Sequence, residues 1–259
     1  MHKCLFFDSH CHIDFSEFDE SRSLLLEQAI NFGINKMIVP GITLAQSKSL
    51  IMRPQFYAHV KNYIALGLHP YFLNQHKAQH MDELIQLAIL HKDKIVAIGE
   101  CGIDSSIGDM DKQKSLFIAH IQLANQLQLP LIVHHRQSHH IIAQAFKQQK
   151  PLYGGVIHAF SGSLQQAKAY IKQGFKIGVG GVITYERAHK THHTISQLPV
   201  ESLLLETDAP SMPISGKQGQ VNTPTALISI FESLLHLRSE SKEILANQLY
   251  KNTLEVFNL

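Results

Sequence analysis

The sequence predicts an α/β protein folded as a single (β/α)8 barrel, and three observations lead there. Short apolar runs alternate with amphipathic stretches, the pattern of a parallel sheet covered by helices. About eight such units follow one another without a linker or low-complexity segment, and eight repeats favour a barrel over an open doubly wound sheet. A chain of 259 residues with 44% hydrophobic content suits one α/β barrel domain, expected to span 1–259. No GxGxxG follows the first strand, which weakens a dinucleotide-binding alternative.

Leu5 to Asp8 is strand-like, and Ser23 to Phe32 forms an amphipathic helix ended by Gly33. Lys36 to Val39 is a second strand closed by Pro40-Gly41, and Tyr63 to Leu68 a third closed by His69-Pro70. Leu84 to Leu90 is helical, and Ile95 to Gly99 is the fourth strand. Lys112 to Leu127 carries a 3.6-residue period, with Leu116, Ile121, Ala124 and Leu127 on one apolar face. Pro130 introduces the strand Leu131 to Val133, followed by a helix near Ile141 to Lys147. Val156-Ile157 is the next strand, and the helix Leu164 to Gln173 ends at Gly174. Phe175 to Gly178 and Ser202 to Leu205 complete the strands, with Gly178, Gly180 and Gly181 read as a tight turn at a strand end. Helices near Pro224 to Leu237 and Ser241 to Asn252 finish the chain.

Charged residues make up 17% of the chain and the formal net charge is +2, too little for a protein that grips duplex DNA by bulk electrostatics. Any nucleic-acid contact is therefore expected to be local, and without Trp it would stack bases on Phe, Tyr or His. Three cysteines (Cys4, Cys11 and Cys101) with no CxxC pair argue against a disulfide framework or a zinc ribbon. No apolar stretch reaches the roughly 18 residues of a membrane span, and the short patch after Lys3 is too brief for a secretory leader. A cytoplasmic protein with no membrane contact and no obligate protein partner is expected.

Six potential metal ligands stand where apolar runs stop: His10, His12, Glu100, His134, His158 and Asp208. In parallel α/β proteins the carboxyl ends of the strands converge on one face, so ligands scattered in sequence can meet there. His10-Cys11-His12 is an HxH in which the strand period of two would place both imidazoles on one face and turn Cys11 toward the helices, as for Cys101. Glu100 leaves an apolar strand, where a carboxylate is costly unless paired or metal-bound, and its two oxygens can bridge two cations. The alternative for Glu100 is a loop cap or an arginine pair. Alternation lets one of His134 and His135 face the mouth; the register favours His134, with His135 as the alternative. Arg136 has a planar fork suited to phosphate oxygens, or it makes a surface salt bridge. His69, at another strand end, either contacts a scissile phosphate or leaving group or is structural. Glu206 and Asp208 share a strand face; Asp208 lies nearer the mouth, to hold metal and accept a proton, and Glu206 either orients a ligand or is a satisfied buried carboxylate.

Taken together these strings resemble the TatD family of metal-dependent hydrolases, often described as magnesium-dependent deoxyribonucleases. The resemblance is carried in order by Phe7-Asp8-Ser9-His10-Cys11-His12, Gly67-Leu68-His69-Pro70, Ile98-Gly99-Glu100-Cys101-Gly102-Ile103-Asp104 and Leu131-Ile132-Val133-His134-His135-Arg136. His158-Ala159-Phe160-Ser161-Gly162-Ser163 and Leu204-Leu205-Glu206-Thr207-Asp208-Ala209-Pro210 continue it. Lys176 to Gly181 and Ile183-Thr184-Tyr185 are similar to the YjjV-like branch. The resemblance implies a distorted TIM barrel with two metals, one on His10, His12, Glu100 and Asp208 and the other on Glu100, His134 and His158. The chain departs from many relatives at Ser105 to Asp109 and at Asn222-Thr223-Pro224, both in loops expected to touch substrate.

The expected activity is hydrolysis of phosphodiester bonds in DNA or a smaller nucleotide ester, in the manner of a 3'-5' exonuclease. Two divalent ions would activate water, with Glu100 and Asp208 as the catalytic carboxylates and His69 and Arg136 on the substrate. Mg²⁺ or Mn²⁺ suits turnover, whereas four imidazoles also welcome Zn²⁺, Co²⁺ or Ni²⁺. A rival is a small-molecule amidohydrolase, lactonase or deaminase, a class that usually bridges its metals with a modified lysine at the fourth strand's end; here Glu100 stands there and Lys94 precedes the strand. A third possibility is a barrel that binds a partner and keeps metal for stability.

Overall fold

Phe6–Asp8 (β1) opens the sheet of the computed structural model, which describes residues 4–54, 56, 57 and 59–259. Lys3 lies outside the described residues. The further strands are Ile34–Pro40 (β2), Phe56–Tyr57 (β3), Val60–Leu66 (β4), Ile95–Asp104 (β5), Leu131–Arg136 (β6), Gly155–Ile157 (β7), Phe175–Val179 (β8) and Leu203–Leu205 (β9). Eight run parallel in the order β1-β2-β4-β5-β6-β7-β8-β9, while β3 pairs antiparallel with β4. The helices are Arg22–Asn31 (α1), Leu44–Met52 (α2), His80–Leu90 (α3), Met110–Leu127 (α4), His139–Gln148 (α5), Leu164–Ile171 (α6), His189–Gln197 (α7), Ala226–His236 (α8) and Lys242–Val256 (α9). All eight expected strands are present. Helices α2 and α7 were not foreseen: α7 buries Thr191, Thr194 and Ile195, a stripe too polar for hydropathy to register.

The pleat sorts the strand residues into two cores. Phe7, Ile38, Ala65, Ala97, Ile132, Val156 and Leu204 fill the barrel interior together with Phe257. Phe257 follows α9, which crosses the end where strands begin: Tyr250 Oη lies 3.2 Å from Asn35 Oδ1 at the start of β2, and Lys176 Nζ 3.6 Å from Glu255 at the start of β8. Their neighbours Phe6, Met37, Leu66, Ile98, Val133, Ile157, Ile177 and Leu205 pack outward against the helices, with Cys11 and Cys101 among them, the outward placement expected for both thiols, reached through the bend after β1 and the register shift in β5. Cys4, Cys11 and Cys101 are free.

Two irregularities shape the mouth. Strands β1 and β9 share no ladder, and the seam between them is sewn just beyond their ends. Ser9 N donates to Leu205 O (2.9 Å), Asp208 N to His10 O (2.8 Å) and His12 N to Ala209 O (2.8 Å). The buried Asp8 carboxylate reinforces the seam by accepting from Thr207 N at 3.0 Å and Thr207 Oγ1 at 2.6 Å. The second irregularity is a register shift of β5 against β6 between Ile98 and Cys101. Those two residues both face the helices although three apart, so the inserted residue turns Glu100 into the barrel instead of out.

Candidate metal centre

The carboxyl ends of the strands bring His10, His12, His69, Glu100, His134, His158 and Asp208 around one mouth. Alternation accounts for only part of this. His134 follows inward-facing Ile132 by two residues and His158 follows Val156, so both enter by simple pleat. His10 and His12 do not: β1 stops at Asp8, and a continued strand would turn both imidazoles outward with Phe6. The chain bends at Ser9 and His10, and the seam lays this bend beside Thr207 to Ala209. The expectation of a shared strand face is therefore corrected; the turn aims the pair. Asp208 also lies past its strand, aimed by a left-handed backbone with φ 56°.

Two imidazole nitrogens stand close to one Glu100 oxygen and one Asp208 oxygen. His10 Nε2 lies 3.2 Å from His12 Nε2, 3.1 Å from Glu100 Oε2 and 3.5 Å from Asp208 Oδ1. His12 Nε2 is 3.5 Å from Glu100 Oε2 and 3.6 Å from Asp208 Oδ1. Tetrahedral ligands about 2.1 Å from one ion stand about 3.4 Å apart, so these spacings fit a divalent cation. Around the other oxygen, Glu100 Oε1, three imidazole nitrogens stand at 2.9 Å (His69 Nε2), 3.2 Å (His134 Nδ1) and 3.6 Å (His158 Nε2). That oxygen is buried without an aligned hydrogen-bond donor, the state a shared cation would relieve. This second group is looser: ligand atoms within 4.8 Å of one another unite Glu100 with His10 and His158, or with His69 and His134, but do not unite His134 with His158.

His69 is ill suited to coordination. Its Nδ1 accepts the Tyr71 backbone N–H at 3.0 Å, which leaves the proton on Nε2 and no free lone pair. Burial depresses its pKa to about 4, so it meets the mouth as a neutral donor.

The candidate ligands are themselves held. Asp104 Oδ2 lies 3.2 Å from His134 Nε2, fixing the proton there and freeing Nδ1 toward Glu100. Ser106 donates to Asp104 through its backbone N at 2.9 Å and its hydroxyl at 2.6 Å. Glu206, fully buried, stands 3.2 Å from His158 Nδ1 and accepts the Ala159 N–H at 2.5 Å. A Cβ on inward-facing Gly178 would overlap the Glu206 carboxylate, so this glycine makes room for the carboxylate instead of serving a turn. Asp104 stands inside the sequence motif, but no periodicity signals its partner.

Burial opposes charge on every group here, and mutual attraction decides the outcome. Burial would raise Glu100, yet His69, His10 and His158 hold it well below the usual carboxylate range. Burial would lower His158, yet Glu206, Asp208 and Glu100 lift it to about 10. His10 is depressed by burial and by His158. The centre thus interleaves buried carboxylates with imidazoles that offset their charge, a donor set suited to a divalent ion.

The mouth opens into a cavity of about 540 Å³. Its walls include Phe15, Tyr71, Phe72, Ser211 and Met212, none of which sequence reasoning singled out. Phe15 stacks on His12 with ring centroids 4.6 Å apart. Arg136 lines the cavity, is exposed and makes no ion pair among the described residues. His135 turns out of the barrel onto the rings of His139 (4.3 Å) and Phe160 (5.6 Å) and only edges the cavity. The two departing segments do not line it, contrary to expectation. Ser106 secures Asp104, and Asn222 Nδ2 donates to Thr207 O at 3.0 Å and Met212 O at 3.3 Å, tying down the loop that carries Asp208.

A family model described as TatD related DNase matches residues 7–258. The chain is 40% identical over 258 residues to the uncharacterized metal-dependent hydrolase YjjV of Escherichia coli K12, covering 99% of each protein. The crystal structure of that E. coli protein superposes with a TM-score of 0.92 over 100% of both chains. The chain is also 28% identical to the 3'-5' ssDNA/RNA exonuclease TatD of Escherichia fergusonii, over 98% of this chain and 99% of that one.

Proposed function

This chain belongs to the TatD-related DNase family and is a metal-dependent hydrolase, and from that premise we propose that it cleaves phosphodiester bonds in single-stranded nucleic acid. The observation that carries the reading is Glu100, whose two buried oxygens face two groups of imidazoles and which no arginine neutralises. His10, His12, Glu100 and Asp208 would hold one divalent ion, and Glu100, His134 and His158 a second. Such ions, Mg²⁺ or Mn²⁺ in use, supply a Lewis acid for a phosphoryl oxygen and make water acidic enough to ionise near neutral pH. Asp208, at the rim of the set, takes the proton released. His69 offers its fixed Nε2–H to a phosphate or leaving-group oxygen, and Arg136 brings an unpaired guanidinium to the phosphate. Relatives named as 3'-5' exonucleases on ssDNA and RNA support the same polarity here. An amidohydrolase with a bridging lysine fits less well, because Lys94 precedes β5 at the opposite end of the barrel. Among the described residues no helix is long and apolar enough to cross a membrane, and the free cysteines suit the reducing cytoplasm.

The test uses protein stripped of metal and resupplied with Mg²⁺ or Mn²⁺, given a bis-aryl phosphodiester and end-labelled oligonucleotides. Both substrates are expected to be cleaved, the oligonucleotide shortening from its 3' end, with at least about a thousandfold loss in Glu100→Ala. Faster turnover of lactones or amides than of phosphodiesters would reverse the assignment.

A further inference from the structure

We infer that a second pocket, beside the metal mouth and walled by Tyr185, Arg187, Lys190 and Thr191, binds the nucleotide next to the scissile phosphate; this rests on the phosphodiesterase reading above. The pocket encloses about 500 Å³ and shares Met212 as a wall with the metal cavity.

The chemistry of the pocket is that of a nucleotide chain. Arg187 and Lys190 are exposed and form no ion pair among the described residues. Arg187 lies over the Tyr185 ring at 5.3 Å, a cation–π contact that sets a guanidinium beside an aromatic ring in the pocket wall. Tyr185 is anchored by its hydroxyl, which donates to Pro213 O at 2.7 Å. The metal cavity, by contrast, has Arg136 as its one lining lysine or arginine among the described residues, enough for a single phosphate. A polymer needs positive charge for its next phosphate, and the adjoining pocket supplies two cations with an aromatic face. A small phosphoester would leave that pocket unused.

Binding tests this without turnover. Fluorescein-labelled pentathymidylate is titrated against the full-length protein in EDTA, at several salt concentrations. Arg187→Ala/Lys190→Ala is expected to weaken binding about tenfold and to flatten the slope of log Kd against log salt by about 1. The charge-matched control Lys92→Ala/Lys150→Ala removes lysines that precede β5 and β7, at the opposite end of the barrel, and is expected to bind as wild type does. Far-ultraviolet circular dichroism and Tm check that both variants fold. Equal affinities for wild type and the pocket variant, equal losses in both variants, or no pentathymidylate binding by wild type would each overturn the pocket. Failure of the bis-aryl phosphodiester assay would instead overturn the function it serves.

Discussion

At the scale of single residues, several side chains act by fixing the ones that face the mouth. Asp104 never lines up with an apolar run, yet it selects the tautomer of His134, and Ser106 holds it in place with two donors. Asp104→Asn keeps the shape but presents an amide that can aim N–H at an N–H. It is expected to lower metal affinity 10- to 100-fold, read by metal titration of the stripped protein, while Tm without metal changes little. Gly178 is the complementary case. Gly178→Ala places a methyl where the Glu206 carboxylate lies, and that carboxylate is pinned by the Ala159 N–H. Overpacking of this kind costs about 1–3 kcal/mol, a loss measurable as a lowered denaturant midpoint with unchanged m-value. An unchanged midpoint would mean that Glu206 has freedom to move.

At the scale of elements, strands carry ligands to the mouth but bends and bulges aim them. The bulge in β5 is what makes Glu100 central, and the turn after β1 is what pairs His10 with His12. Helix α4 contributes from outside the barrel. His120 on α4 is buried; its Nε2 accepts the Leu68 N–H at 3.0 Å and its Nδ1 lies 2.7 Å from Leu116 O, so α4 grips the strand end that leads to His69. A proton on Nε2 would face another N–H, and burial depresses the pKa from 6.5 to about 4. In the pH window between those values the unfolded chain binds the extra proton, so stability falls as pH falls. The loss approaches about 3 kcal/mol near pH 4. Urea unfolding in EDTA from pH 7 to 4 is expected to show this slope, and His120→Gln to lack about one proton of it. A variant with the wild-type slope would assign the proton uptake elsewhere.

At the scale of the whole molecule, the barrel is closed at one end by Phe257 and α9 and open at the other, where carboxylates and imidazoles are gathered. Glu100, Glu206 and Asp208 are buried together and offset in part by His158, and a divalent cation would oppose their charge more fully. Metal should therefore stabilise the fold as well as complete the site. An ion supplied at a hundred times its Kd adds about 2.7 kcal/mol, which for a chain of this size raises Tm by roughly 5–10 °C. Scanning calorimetry with and without Mn²⁺ is expected to show that rise in wild type and little of it in Glu100→Ala. Equal rises in both would place the stabilising ion away from Glu100.

The sequence by itself determined the repeat of strand and helix, the number of parallel strands and the short list of residues standing at their ends. Period-two and period-3.6 patterns are local, and hydrophobic burial enforces them along every segment. It also carried the motifs that identify the family. It did not disclose the polar stripe of α7, because threonines bury without raising hydropathy, nor the aromatic walls at Tyr71 and Phe72, which come from a short 3-10 turn, Pro70–Gln75, with no apolar repeat to announce it. Only the tertiary structure decided that Glu100 faces inward, that the histidines of the HxH meet Asp208 across an unpaired seam, and that Asp104 and Glu206 stand behind His134 and His158. Those outcomes depend on a one-residue insertion and on contacts between segments some 200 residues apart, such as Asp8 with Thr207. Neither leaves a trace in the spacing of apolar residues, because both are settled by where backbone donors and carboxylates find one another once the sheet has closed.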